Sequence, residues 1–305
     1  RFCIDLLFLV SMPTILNEKP IQGRCIMDVG ILMFMTDYAL PVTELAPALE
    51  DRGFESLWIP EHSHIPISRR SQYPAGGDLP KRYYDCMDPF PVIGAAAAAT
   101  SSLKVATGIC VISQRDPIQT AKSVATVDHL SNGRFIFGTG VGWNQDEIEN
   151  HGTNFKTRLS VTRERIEAMR EIWTKSKPEY HGKFVDFDPM MTWPKPIQKP
   201  HPPILVGGGW PHAAKRALEY GDGWMPNSIR PDYHILDKVE AWERMKQDYG
   251  REVPLTCCLV ETDPDQWTRY RDSGVARIIV EVPPGTREET MPLLDTLAKG
   301  MARVG

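Results

Sequence analysis

No stretch of this 305-residue chain reaches the ~20 apolar residues that a membrane helix needs. Nor is there an excess of positive charge: 35 Lys and Arg stand against 39 Asp and Glu, a net −4. Without a basic field, neither nucleic acid nor an anionic membrane is expected as a partner. Cysteine is sparse, with six residues at positions 3, 25, 86, 110, 257 and 258 and no C-x-x-C. A chain this long needs no covalent staples, so reduced thiols and a cytoplasmic location are expected. Neither a G-x-G-x-x-G after the first strand nor a P-loop occurs, which weakens a doubly wound dinucleotide fold. Apolar residues are not lacking. At 42 % hydrophobic and 24 % charged, the chain can bury a full core, and disorder is excluded as its main state.

From Met27 onward the pattern alternates strand and helix. Val29–Phe34, Ser56–Ile59, Val105–Ile112, Arg134–Thr139, Ile204–Val206, Gly223–Met225, Leu255–Val260 and Arg277–Val282 read as strands. They are short apolar runs without alternation, as in a parallel sheet buried on both faces. Helical spacing falls at Val42–Arg52, Asp88 through the alanines 95–99, Asp116–Leu130, Arg158–Lys175, Pro211–Tyr220, Tyr233–Tyr249, Asp265–Ser273 and Glu288–Lys299. Asp before Pro at 88 and 116 is a helix-start signature. Eight strand-helix pairs in this length predict an α/β TIM (β/α)8 barrel. Residues 178–203 break the rhythm and read as a hairpin with a proline-rich insertion late in the chain. Residues 61–87 form a long loop, of the kind that is usually functional in a compact domain. Residues 1–26 read as an extension outside the barrel domain of 27–305, with a strand packed on the barrel's outside as the alternative.

A barrel places its chemistry on the loops after the strands. The second strand delivers Glu61-His62-Ser63-His64, and a histidine beside an acid suits proton transfer near neutral pH. The bland alternative is a solvated residue at the rim. His62-x-His64 also has metal-ligand spacing, but the other strand ends lack His, Lys or Asp in support, and no metal is expected. His129 reads as structural, and the remaining histidines carry no signal. The third strand delivers Gly108-Ile109-Cys110, and the fourth the glycine-spaced Gly138–Asn144. Those glycines could admit a flat ligand close to the backbone or serve barrel packing. Gly207-Gly208-Gly209 before a helix offers free N–H groups to a phosphate, whereas a plain turn would not need three glycines.

Several stretches, taken in order, resemble the luciferase-like flavin and deazaflavin superfamily, most closely its coenzyme F420-dependent branch. They are Gly53–His62, Ala106–Ile109 with Asp116-Pro117, Asp128–Phe135, Gly140–Asn144 with Glu147, His201–Gly208 and Gly221–Trp224. The resemblance implies a TIM barrel with a late insertion. It implies an oxidoreductase passing hydride between F420 and a small organic substrate, with an FMNH2-dependent two-component monooxygenase as the alternative. A homodimer and a separate reductase regenerating the cofactor are implied as partners. It also implies a non-proline cis bond at Gly108–Ile109, with Ile109 as a wedge against the ring. Glu61 and His62 fall on ring-side and catalytic positions. Gly108, Ile109, Cys110, Val111, Trp143 and Asn144 fall among the cofactor contacts. Val141 and Asp146 fall on positions that meet the cofactor tail, and Gly207, Gly208 and Gly209 on its phosphate turn. Trp143 stands where the branch's sugar-phosphate dehydrogenases carry a catalytic glutamate, so sugar-phosphate oxidation is not expected. The loop 61–87 is expected to wall the substrate.

Overall fold

The computed structural model describes residues 27–302 and residue 304; the expected extension at 1–26 lies outside the described residues. In chain order the elements begin β1 Asp28–Leu32, α1 Val42–Asp51, β2 Ser56–Ile59, α2 Arg82–Asp85, α3 Pro89–Ala98, β3 Lys104–Thr107, β4 Cys110–Val111 and α4 Pro117–Leu130. They continue with β5 Phe135–Gly140, α5 Gln145–Asn150, α6 Arg158–Thr174, β6 Tyr180–His181, β7 Asp186–Phe187, β8 Ile204–Gly207 and α7 His212–Tyr220. The last are β9 Gly223–Met225, β10 Ile229–Arg230, β11 Tyr233–His234, α8 Val239–Tyr249, β12 Thr256–Val260, α9 Pro264–Asp272, β13 Arg277–Glu281 and α10 Arg287–Met301.

The strands run β12-β13-β1-β2-β3-β5-β8-β9, paired in parallel throughout. Parallel bridges Trp224–Leu255 and Asn227–Cys258 join the two ends, so the sheet closes on itself as a (β/α)8 barrel. Inside, each strand or its end contributes to a compact plug: Leu32, Phe34, Trp58, Ala106, Ile136, Leu205, Met225, Cys258 and Ile279. Trp58 fills the axis, with its Nε1 donating to Ser56 Oγ at 2.7 Å. Its bulk explains a small neighbour: a Cβ at Gly30 would lie 2.7 Å from the Trp58 nitrogen. A second, larger apolar layer lies between strands and helices.

Asp88 and Asp116 cap α3 and α4 as their sequences predict, accepting from the Phe90 and Gln119 amides. The insertion contains the antiparallel β6–β7 hairpin followed by extended, proline-rich chain. Two predicted elements are corrected. The 105–112 strand is broken into β3 and β4. Between the pairs Ala106–Ile136 and Cys110–Thr139, one strand advances four residues and its neighbour three. The additional residue makes a bulge. The 233–249 helix begins only at Val239, because Tyr233 and His234 pair with Arg230 and Ile229 in a hairpin. The His234 ring accepts the Leu236 amide and so ends the extended segment there.

At the barrel's opposite end, Arg277 donates to Glu55 at 2.6 and 2.9 Å, and Lys104 lies 2.7 Å from the same carboxylate. Burial works to raise Glu55, but the bonds from Arg277 and Lys104 win and hold it down to about 2. A depressed carboxyl stabilises the fold above its unfolded pKa of about 4.3, and that contribution is lost as pH falls toward 2. Acid titration of unfolding should therefore show a loss between about pH 4.5 and 2. Glu55→Gln should flatten that loss while lowering stability at pH 7.

Candidate active site

The mouth of the barrel holds a cavity of about 140 Å³ floored by Ile109 and rimmed by Glu61, His62, Val111, Trp143 and Glu147. The Gly108–Ile109 bond is cis, as the resemblance implies. The Ile109 side chain lies across the backbone of two neighbouring strands. A Cβ at Gly140 would come within 2.2 Å of its Cδ1, and one at Gly207 within 3.0 Å of its Cγ2. Glycine at these two strand ends is what lets Ile109 lie flat and present a branched apolar surface upward.

Glu61 lines the cavity, but its carboxylate is turned to the bulge. Its buried carboxylate accepts from the Val111 amide at 2.7 Å and from Arg115 Nε. Burial pushes the Glu61 carboxyl up, against the pull of Arg115 and the Val111 N–H. Glu61 therefore pins the bulge carrying Ile109, and its carboxylate is already engaged there.

His62 is set differently. Its Nδ1 lies 2.8 Å from Glu147 Oε2, and the two side chains are only 8 % and 1 % exposed. The other Glu147 oxygen accepts the Ser63 amide at 3.1 Å. With Nδ1 committed to a carboxylate, Nε2 is the nitrogen left for chemistry, the arrangement that fixes a tautomer. Asn144 starts α5 by capping it, and this places Glu147 on the helix face turned to the cavity. Glu147 is part of the sequence resemblance, but nothing in its local pattern marks it as the partner of a residue 85 positions away.

Not every expected contact reaches the cavity. Cys110 is fully buried in the layer between barrel and helices, because it alternates with Ile109 and Val111 across the sheet, and burial raises its thiol. Asn144 does not line the cavity; its side-chain oxygen caps α5, and its Nδ2 is buried without a hydrogen-bond partner among the described residues. Val141 lies outside it and offers its carbonyl to Ser113 Oγ at 3.0 Å. Asp146 is taken by Arg70, whose amide it accepts at 2.6 Å and whose guanidinium it also binds; these bonds lower its carboxyl.

That Arg70 contact ties the long loop 61–87 to α5, and Arg82–Glu281 at 2.8 Å ties the loop's far end to β13. So held, the loop lowers Tyr73 and Tyr83 over the barrel, their hydroxyls 3.1 Å apart. They wall a second space of about 480 Å³ with Pro74, Trp143, Asn227 and Leu259. Tyr83, Trp143, Asn227 and Leu259 line both spaces, so the two adjoin. Leu259 reaches them from a bulged position of β12, at φ 54°.

Gly208 sits at φ 123°, a conformation that a side chain would strain, with Arg216 Nη2 3.6 Å from where a Cβ would be. The Nε atoms of Arg216 and Arg158 are buried without a hydrogen-bond partner among the described residues. Burial, then the nearby charge of Arg216, lowers Arg158. Two like charges near one another, with no ion pair to a carboxylate among the described residues and one of them beside a glycine turn, are the chemistry of an anion site. Sequence reading found the glycines; it missed the arginines, which come from separate helices.

Residues 35–286 match the model of the luciferase-like monooxygenase family, and the chain belongs to that family. An uncharacterized protein of Mycobacterium tuberculosis is 36 % identical over 282 residues, covering 90 % of this chain and 99 % of that one. The F420-dependent glucose-6-phosphate dehydrogenase of Amycolatopsis mediterranei is 27 % identical over 228 residues, covering 70 % and 63 %. Among solved structures, an F420-dependent secondary alcohol dehydrogenase bound to an F420-acetone adduct superposes with TM-score 0.71 at 17 % identity, covering 92 % and 99 %. The monooxygenase RslO1 of Streptomyces bottropensis does so with TM-score 0.71 at 19 % identity, covering 91 % and 99 %. Among the described residues no helix is long and apolar enough to cross a membrane.

Proposed function

We propose that this protein is an F420-dependent oxidoreductase acting on an electron-poor C=C, C=O or C=N of a small organic substrate. The observation that carries this reading is one cavity with an apolar Ile109 floor and, at its rim, a histidine held by a buried glutamate. The residues present fit a deazaflavin: Gly140 and Gly207 clear room for Ile109, and Arg158 and Arg216, each with a buried Nε free of hydrogen bonds among the described residues, suit an anionic tail. When bound, the cofactor supplies a hydride. His62 Nε2 supplies or takes the accompanying proton, Glu147 holds the ring and balances its charge, and Tyr73, Tyr83 and Trp143 exclude water. Reduced cofactor comes from a separate reductase.

The family's name and the likeness to RslO1 favour the FMNH2-dependent monooxygenase as the second reading. Anaerobic single-turnover mixing separates the two. Under the F420 reading, reduced F420 is consumed by a panel of activated alkenes, imines and ketones without oxygen. Oxygen-dependent product formation from FMNH2, with no F420H2 consumption, would reverse the assignment.

The anion site gives a further prediction. Arg216→Ala should weaken F420 binding by about 10-fold, the scale of one charge-assisted hydrogen bond. Gly208→Val should weaken F420 and FMN together, because both carry a phosphate. Fluorescence titration of each cofactor reads both effects.

A further inference from the structure

The outer space walled by Tyr73, Tyr83, Trp143 and Leu259 has one cation, Arg230, and no carboxylate in its lining. Arg230 lies on the β10–β11 hairpin, its guanidinium 5.7 Å from the Tyr233 ring and 3.0 Å from where a Gly209 Cβ would lie. Its Nε is buried without a hydrogen-bond partner among the described residues, and the nearest carboxylate, Asp232, stands off at 3.6 Å. The cations near Gly208 are distinct, carried by α6 and α7. We propose that this space takes a flat, largely apolar substrate bearing one carboxylate, with Arg230 as the anchor. This rests on reading the adjoining cavity as the active site. Aromatic walls stack a planar body, and a planar guanidinium short of partners pairs with a carboxylate in fork geometry. An apolar substrate without charge would leave that guanidinium with only its long contact to Asp232 and so gain nothing from it. Arg230 is thus a specificity-determining residue and takes no part in hydride or proton transfer.

Calorimetric titration of the full chain tests this with three probes: trans-cinnamate, trans-cinnamamide and acetate. Cinnamate and its amide share a shape and differ in charge, and acetate has the charge without the ring. Cinnamate should bind at least about 10-fold more tightly than the amide, with acetate weaker than both. Arg230→Gln should bring cinnamate and amide within about 2-fold of each other, through loss of the cinnamate interaction. Asp232→Asn, which removes the competing carboxylate, should tighten cinnamate and leave the amide unchanged. Equal affinities in the wild type, no measurable binding of either aromatic probe, or discrimination that survives Arg230→Gln would overturn the proposal. So would an Arg230→Gln variant that loses F420 affinity and keeps cinnamate affinity, since the guanidinium then serves the cofactor. Cinnamate discrimination with no F420 binding in the wild type would sink the cofactor assignment and leave this inference standing.

Discussion

His62→Ala is expected to lower turnover by roughly 100-fold or more while cofactor affinity stays within about threefold. The expectation follows from a ring with one nitrogen tied to Glu147 at 2.8 Å and the other left over a cavity. Glu147→Gln tests the same unit from its other end. The amide has one acceptor oxygen for two donors, so with the Ser63 N–H kept, its NH2 group donates to Nδ1; the ring stays in place, but its proton moves to Nε2, which can no longer accept one. The loss should therefore fall on turnover, with substrate KM little changed. Steady-state kinetics of kcat against KM distinguishes this from simple loss of packing. Unchanged turnover in both variants would make His62 a rim residue and move the proton donor elsewhere.

The second large effect concerns the floor. Gly140→Ala puts a methyl within 2.2 Å of Ile109 Cδ1, so the isoleucine must swing out of its place. Cofactor affinity should fall by about 10-fold or more, since a misplaced apolar wedge forfeits contact area worth about 25 cal/mol per Å². Ile109→Ala alone should also weaken binding, by removing the surface. The double variant should be less impaired than the two losses added together, because the methyl then occupies space the isoleucine has vacated. Cofactor titrations of the four proteins give the coupling directly. Strict additivity would show that Ile109 and Gly140 do not share the floor.

The barrel was legible in the sequence because each buried strand reads as a short apolar run and each helix announces its own start. Asp88-Pro89 and Asp116-Pro117 are local signals, and the structure uses both as caps. The helix expected from Tyr233 failed for a tertiary reason: a hairpin pairing with 229–230 overrode helical spacing. The short helices α2 and α5 were not legible, being too brief to show a period. At the site, the positions of His62 and Ile109 at the cavity were readable where the family pattern is dense. Partnerships were not. Glu61 reads as a ring-side acid, but nothing in sequence shows its carboxylate bonded to Val111 and Arg115; Asp146 reads as a tail contact, but nothing shows it bonded to Arg70. Arg158, Arg216 and Arg230 each look like ordinary surface charge in sequence, and only folding leaves their Nε atoms buried without a hydrogen bond among the described residues.

The measurement closest to the central claim is a parallel binding titration of the wild-type protein with F420, FMN and NADPH under one buffer and salt condition. A cavity floored by Ile109, with an arginine-lined turn for a long anionic tail, predicts F420 tightest, FMN weaker by at least about 10-fold, and NADPH without measurable binding. FMN binding as tightly as F420, or more so, would contradict the account and make the protein a flavin-dependent monooxygenase.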